Sequence, residues 1–224
     1  MKRLSPRLAA PWLAVILMSV TVPSVSAQDP TPPSSAPTEF DKVEEDWELV
    51  VATPDPLGVG PQITTCMTPF AVGVAPFVAF NMNYRERPTF QPGGMQVQVW
   101  TPEGSLLSAA SHDSAVFNTP NETLTWTQRM RLIGGFVFFD VQQGQSQTWG
   151  NFGQGMQLSA AYAASPTSLM GYDPEVSAAR SGVTWQSNYV TRLVLKRVRY
   201  YANGNLIWTD ETPRVIVSNA SSDS

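Results

Sequence analysis

Three acidic residues near the start of the chain alternate with other side chains and could perform hydrolytic chemistry. In the segment EEDWE, Glu44, Asp46 and Glu48 are separated by Glu45 and Trp47. Successive side chains of a β-strand point to opposite faces, so a strand here would place the three carboxyl groups on one face. A retaining glycosidase uses two such groups, one as nucleophile and one as acid and base. The spacing therefore fits a glycoside hydrolase site, and it equally fits a charged lead-in to a first strand.

The same segment resembles the E-x-D-x-E signature of concanavalin-like endoglucanases. That resemblance implies Glu44 as the nucleophile, Asp46 as its helper and Glu48 as the acid and base. A wider resemblance covers most of the chain after its N-terminal segment. The runs TWTQRMRL, GGFVFFDVQQGQSQTWGNFG and VLKRVRYYANGNLIW are similar to exported bacterial proteins without an assigned activity. This second resemblance implies a shared β-sandwich and carries over no catalytic residue.

A second group of candidate residues is aromatic and lies among amides. Trp149, Asn151 and Phe152 follow a run of glutamines, and Trp185 lies in another loop-like segment. A sugar packs its apolar C–H face on an aromatic ring, while its hydroxyl groups need hydrogen-bond partners such as amides. The four residues are therefore candidate carbohydrate-binding residues. The alternative is that Trp149 and Phe152 fold back over one end of the domain, because large aromatic side chains are usually buried.

Residue counts and spacing exclude several other kinds of site. The single histidine, His112, stands beside Asp113 and Ser114, and neighbours in sequence cannot form a Ser-His-Asp triad, so we expect an exposed loop histidine. One His and one Cys are too few for a zinc site. The glycine-rich GNFGQG lacks the Lys-Ser or Lys-Thr of a phosphate-binding loop, which favours a loop or bulge. No metal and no cofactor are predicted.

The N-terminal segment has the pattern of a secretory signal peptide. Residues 1–27 begin with basic side chains, continue with an apolar run too short to span a bilayer and end in small residues. We predict cleavage near Ala27 and a secreted or periplasmic protein without an integral membrane segment. Cleavage leaves 11 basic and 18 acidic residues, a net charge of −7. Such a surface repels phosphate backbones, so nucleic acid is not a predicted partner.

The rest of the chain is predicted to hold one domain, at residues 40–217, between a proline-rich disordered linker at 28–39 and a disordered tail at 218–224. Hairpin turns are predicted at Gly134-Gly135 and Asn203-Gly204, and a short helix after Asp173. Alternation with a period of two predicts about ten strands. They fall at residues 47–52, 62–68, 76–83, 95–100, 123–131, 136–141, 156–162, 189–201, 205–209 and 213–217.

These patterns predict an all-β fold, an antiparallel β-sandwich of the jelly-roll or concanavalin-like type. Cys66 has no partner for an internal disulfide, and we expect it to be buried. The leading functional interpretation is an exported, non-enzymatic protein that binds carbohydrate, another extracellular ligand or an envelope component. The alternatives are a glycoside hydrolase using Glu44, Asp46 and Glu48, and a structural envelope or matrix component joined through its sheet edges. The sequence does not indicate an oligomeric state.

Overall fold

The computed structural model describes residues 37, 39–54, 60–69, 76–83, 93–113, 115–163 and 168–219, with the backbone alone at 108, 109 and 111. The predicted signal peptide lies outside these residues, as do residues 28–36 of the predicted linker and residues 220–224 of the predicted tail.

Most of the described residues lie in β-strands. In chain order these are β1 (Lys42–Val51), β2 (Gln62–Met67), β3 (Phe77–Met82), β4 (Met95–Trp100), β5 (Leu106–His112), β6 (Thr123–Ile133), β7 (Phe136–Ser146), β8 (Gly150–Phe152), β9 (Ser159–Ala163), β10 (Gly182–Trp185), β11 (Val190–Ala202), β12 (Asn205–Asp210) and β13 (Arg214–Ser218). The helical elements of this part of the chain are α1 (Pro174–Arg180) and a 3-10 turn at Ser187–Tyr189.

The strands form two antiparallel sheets that pack face to face. The larger sheet has the order β12-β11-β1-β6-β7-β8, with β13 also paired to β11 and β9 also paired to β7, and the smaller sheet has the order β10-β2-β3-β4-β5. Trp47 and Trp126 of the larger sheet stack with 6.2 Å between ring centroids, and Phe80 of the smaller sheet lies 5.9 Å from Trp126. This packing confirms the predicted all-β sandwich. The jelly-roll or concanavalin-like type stays a prediction.

The first strand is longer than its sequence pattern predicts. β1 begins at Lys42, whereas the predicted strand begins at Trp47. The added residues continue the alternation, with Val43 and Glu45 fully buried on the core side. The charged segment is therefore part of the strand, which corrects its interpretation as a lead-in. The sequence pattern stops short because a carboxyl group occupies a core position where alternation leads one to expect an apolar side chain.

Both predicted hairpin turns are present. Gly134 and Gly135 have φ of 57° and 80° between β6 and β7, and Asn203 and Gly204 have φ of 52° and 80° between β11 and β12. Positive φ at both central residues is the geometry of a type I′ turn, whose twist matches that of the strands it joins. These turns are the local feature that the sequence predicts best.

Helix α1 begins where the sequence predicts and covers part of a strand edge. Asp173 Oδ1 accepts a hydrogen bond from the backbone N of Glu175 at 2.9 Å, and Pro174 occupies the first turn. Just after the helix, Ser181 Oγ accepts a hydrogen bond from the backbone N of Cys66 at 2.9 Å. The C-terminal end of the helix thus supplies a hydrogen-bond partner to the part of β2 that is not paired with β10.

Three strands, β5, β8 and β10, have no counterpart in the sequence prediction. β5 has the sequence LLSAASH, which lacks the β-branched and aromatic residues typical of strands, and it forms because it pairs with β4. His112 is its last residue, opposite Met95, and is half-buried. This corrects the expected exposed loop histidine. β8 consists of the first three residues of the glycine-rich segment that was expected to form a loop or bulge.

Cys66 is buried in β2, as predicted, with 4% of its surface exposed. Burial away from water raises the pKa of its thiol to about 12. Because the thiolate is the reactive form, we expect no reaction of the folded protein with a water-soluble disulfide reagent at about pH 8, and full reaction after unfolding. Non-reducing gels should show a monomer. Rapid labelling of the folded protein, or a dimer that Cys66→Ser abolishes, would contradict this expectation.

Candidate functional site

The predicted carboxylate strand lies on the outer face of the larger sheet. The structure places Glu44, Asp46 and Glu48 on one face of β1, as their spacing predicts, while Glu45 and Trp47 lie on the core side. All three outer carboxylates have basic partners. The ion pairs join Glu44 to Lys42 and Arg199, Asp46 to Arg197 and Arg199, and Glu48 to Arg192 and Lys196.

A second group of ion pairs lies on the neighbouring strands β6 and β7. Asp140, whose side chain is 2% exposed, accepts two hydrogen bonds of 3.0 Å from Arg129 and one of 2.9 Å from Arg131. The face as a whole is thus arranged to pair charges. The hydrolase interpretation stays a sequence prediction.

A depression of about 590 Å³ lies on the same outer face. Its lining includes Asp46 of β1 and the hydroxyl groups of Thr125 and Thr127 of β6. Trp47 and Trp126 are also among its lining residues, but they are only 1% and 2% exposed because their side chains lie in the core. The depression therefore offers hydrogen-bond partners without an aromatic surface.

Trp149 and Phe152 are core residues, which corrects their expected place in an exposed loop. Trp149 is 8% exposed, its Nε1 donates to the carbonyl O of Ala115 at 2.8 Å, and its ring lies 4.4 Å from that of Phe117. Phe152 is 1% exposed, and a Cβ on Gly144 would overlap its ring. Both rings thus fold back into the domain, as in the alternative, and that of Phe152 lies 6.3 Å from the ring of Phe80 on the smaller sheet. A buried ring has no free face on which a sugar could stack.

The other two predicted binding residues are exposed but lie on different sheets. Asn151 is on β8, opposite Gln145 of β7. Trp185 is on β10, the edge strand of the smaller sheet, and is 52% exposed. The structure therefore does not assemble the four predicted residues into one aromatic surface.

An aromatic cleft that the sequence did not indicate lies at the edge of the larger sheet. It encloses about 480 Å³ between the segment just before α1, the lead-in to β1 and the β11–β12 hairpin. Four of its lining residues are aromatic and pack as one cluster. Ring centroids are 5.0 Å apart for Phe40 and Tyr200, 4.9 Å for Tyr200 and Trp208, and 5.9 Å for Tyr172 and Tyr200. Trp208 is the half-buried member, and the other three are buried.

The polar rim of the aromatic cleft is organised by one arginine. Arg214 donates from Nη2 to Asp210 Oδ2 at 2.7 Å, from Nε to Glu175 Oε1 at 2.6 Å and from Nη1 to the carbonyl O of Thr212 at 3.0 Å. Burial alone would raise the pKa of Asp210, but hydrogen bonds from Arg214 and Thr212 outweigh it and hold that pKa below its ordinary value. The rim therefore presents two carboxylates, of Asp210 and Glu175, that pair with Arg214 beside the aromatic wall.

A buried carboxyl group lies directly behind that wall. Glu45 is 0% exposed, its Oε1 accepts a hydrogen bond from the hydroxyl of Tyr172 at 2.7 Å and its Oε2 accepts one from Trp47 Nε1 at 2.9 Å. Burial raises the pKa of Glu45 to about 7, against the opposing effect of these hydrogen bonds. Carboxyl groups with strongly shifted pKa values are frequent at functional sites, which supports the cleft as a candidate site.

The sequence contains a partial signal for the cleft. The Asn203-Gly204 turn predicts that β11 and β12 pair, which brings their aromatic residues onto neighbouring strands. A β-bulge then shifts the register, so that Tyr200 lies opposite Trp208 and not opposite Ile207. Bulges re-aim side chains in this way, and the turn alone does not indicate one.

No cluster of three or more His, Cys, Asp or Glu side chains in the described ranges is arranged to hold a metal ion. Within those ranges, too, no helix has the length and apolar character needed to cross a bilayer. No known family model matches the chain, and no curated protein matches it.

Proposed function

We propose that this protein is an exported, non-enzymatic β-sandwich that binds carbohydrate in the aromatic cleft. The observation that carries the proposal is the combination of a half-buried indole, Trp208, with fixed carboxylates at the rim of one cleft. Export rests on the predicted signal peptide.

The two parts of the cleft suit the two chemical faces of a sugar. The indole of Trp208 is an apolar, polarisable surface for the C–H face of a hexose. The rim carboxylates of Asp210 and Glu175 accept hydrogen bonds, and each oxygen can accept more than one, so they can bind sugar hydroxyl groups while still paired with Arg214. The pairing with Arg214 holds the pKa of Asp210 below its ordinary value, which favours binding by this carboxylate over proton transfer from it.

Replacement of Trp208 by alanine tests the proposal. Removal of a central aromatic contact from a binding site costs on the order of 2 kcal/mol, which corresponds to about a thirtyfold weaker dissociation constant. We expect wild type to bind at least one member of a panel of neutral and charged hexose oligosaccharides, without release of reducing sugar. Trp208→Ala should lose that binding, measured by titration calorimetry, at a temperature where its unfolding curve shows it to be folded.

Trp185→Ala is the matched control, because it removes an exposed tryptophan from the other sheet. It should bind the same oligosaccharide as tightly as wild type does. If Trp185→Ala loses binding and Trp208→Ala keeps it, the site lies on β10 and the cleft assignment is wrong. Release of reducing sugar that Glu48→Gln abolishes would favour the hydrolase on β1. Binding to no member of the panel would overturn the proposal.

A further inference from the structure

We propose that Glu45 positions the Tyr172 wall of the aromatic cleft, and that the cleft holds its ligand more weakly once Glu45 has lost its proton. This inference rests on the proposed function and adds a regulation to it.

A buried hydrogen bond from Tyr172 links Glu45 to the cleft, and the hydroxyl of Ser177 on α1 lies beside both groups. The hydroxyl of Tyr172 donates to Glu45 Oε1 at 2.7 Å, while the ring of Tyr172 lines the cleft and packs edge-on against Phe40 at 6.5 Å and Tyr200 at 5.9 Å. Glu45 itself is fully buried on the core side of β1. A change in the charge of Glu45 therefore acts on the cleft through the Tyr172 hydroxyl.

The core contains an acceptor for the proton of a neutral Glu45. Gln128 lies directly opposite Glu45 on β6, where Cβ atoms are about 5 Å apart. Its Nε2 donates to Thr65 Oγ1, whereas its buried Oε1 has no hydrogen-bond partner among the residues that the structure describes. A protonated Glu45 can donate to that oxygen. The neutral form thereby satisfies a buried acceptor, which the ionised form leaves unpaired.

The other titratable groups facing Glu45 keep one charge state near neutral pH. They come from the segment before α1 and from β2, β11 and β13, and they are Tyr172, Cys66, Tyr200 and Arg214. Burial raises the pKa of both tyrosines and of the thiol. The pKa of Arg214 is raised because its paired carboxylates outweigh its burial. Glu45, whose pKa burial raises to about 7, is thus the member of this cluster that changes charge there.

Ionisation of Glu45 leaves a fully buried charge that forms no ion pair with any residue in the described part of the chain. Hydrogen bonds from Tyr172 and Trp47 favour the ionised form, but burial has the larger, opposing effect, so the charge is stabilised when water reaches it. Tyr172 lies between Glu45 and the cleft, and we infer that displacement of its segment admits that water. Displacement of that segment removes one wall of the cleft. If the ligand binds only the neutral form, a pKa of about 7 predicts that the dissociation constant rises about thirtyfold between about pH 6 and about pH 8.5.

The experiment compares wild type, Glu45→Gln and His112→Gln at those two pH values. Glutamine resembles the neutral acid, because its amide can donate to Gln128 Oε1 and its carbonyl can accept from Tyr172. Calorimetry with the tightest-binding oligosaccharide of the panel measures affinity. Hydrogen exchange of the backbone amides of residues 169–176, corrected for the intrinsic effect of pH, measures how well the Tyr172 segment is protected in the absence of a ligand. His112→Gln is the control, because it removes the single histidine from the other sheet.

We expect affinity and amide protection to fall with pH in wild type and in His112→Gln, and to stay constant in Glu45→Gln. Constant protection and constant affinity in wild type would overturn the inference. If protection falls as expected but no oligosaccharide binds, the proposed function fails and the role of Glu45 in positioning the wall stands. Should Glu45→Gln not fold, Tyr172→Phe replaces it. That variant lacks the link to Glu45, so a pH dependence of affinity that persists in it would count against the inference.

Discussion

Replacement of Trp149 by alanine should lower the free energy of unfolding by about 3 to 5 kcal/mol, the usual cost of truncating a buried large aromatic side chain. The residue is 8% exposed and its ring packs at 4.4 Å on Phe117, so its removal opens a cavity in the core. The substitution also leaves the carbonyl of Ala115 without the 2.8 Å hydrogen bond from the indole. Urea unfolding followed by circular dichroism measures the loss.

Trp185→Ala is again the matched control for this prediction. Its side chain is 52% exposed, and surface substitutions usually change stability by less than about 0.5 kcal/mol. Two tryptophans of the same chain should therefore differ by several-fold in their contribution to stability. If Trp149→Ala were nearly neutral and oligosaccharide binding were lost, Trp149 would be a ligand contact, as its sequence neighbours suggest.

The second large effect is a dependence of stability on pH that Glu45 imposes. Its pKa is raised from 4.5 to about 7 in the folded protein, so the folded state binds this proton more tightly than the unfolded state does. The stabilisation is complete below about pH 4.5 and is lost as pH rises through about 7. At 1.36 kcal/mol per pKa unit, the loss between about pH 5 and pH 8 amounts to about 2 to 3 kcal/mol.

The difference between wild type and Glu45→Gln isolates this effect, because the other titrating groups are common to both proteins. Wild type should lose about 2 to 3 kcal/mol relative to the variant over that pH interval. Carboxylates such as Asp210, whose pKa is lowered, act in the opposite direction, because their stabilisation is lost as pH falls. A constant difference between the two proteins would show that Glu45 keeps one protonation state throughout.

The parts of the fold that the sequence predicts well are governed by local chemistry. The turns at Gly134-Gly135 and Asn203-Gly204 need positive φ, which few residues other than glycine and asparagine adopt, so the residue types indicate the hairpins directly. Asp173 indicates the start of α1 for a similar reason, because its side chain satisfies a backbone N–H group in the first turn.

The parts that the sequence predicts poorly depend on contacts between distant segments. β5 becomes a strand because β4 offers it a partner, although its own residues have no strand preference. Trp149 lies among glutamines, but its surroundings in space are apolar. A signal for the burial of Phe152 was present. Gly144 lies within β7, and an isolated glycine in a strand often marks the close approach of another group, here the ring of Phe152.

The candidate sites also combine features that local sequence predicts with features that depend on contacts between distant segments. Alternation in β1 correctly predicts that Glu44, Asp46 and Glu48 share a face, because a strand has a period of two whatever surrounds it. It does not indicate that the arginines of β11 and β6 will cover that face. The cleft depends on the bulge that sets Tyr200 opposite Trp208, and on a loop that brings Tyr172 to Glu45, 127 residues away in the chain.

The pairing of the outer strands of the larger sheet determines how easily further chains could add to its edges and form a fibre. On one side, β12 and β13 both pair with β11, and on the other, β8 and β9 both pair with β7. Each flank is thus divided between two short strands, of 6 and 5 residues on one side and of 3 and 5 on the other. A chain that adds to a sheet needs a continuous row of unpaired backbone groups. Each flank offers only short rows of unpaired backbone groups, so the larger sheet is a poor template for the edge-to-edge addition of further chains.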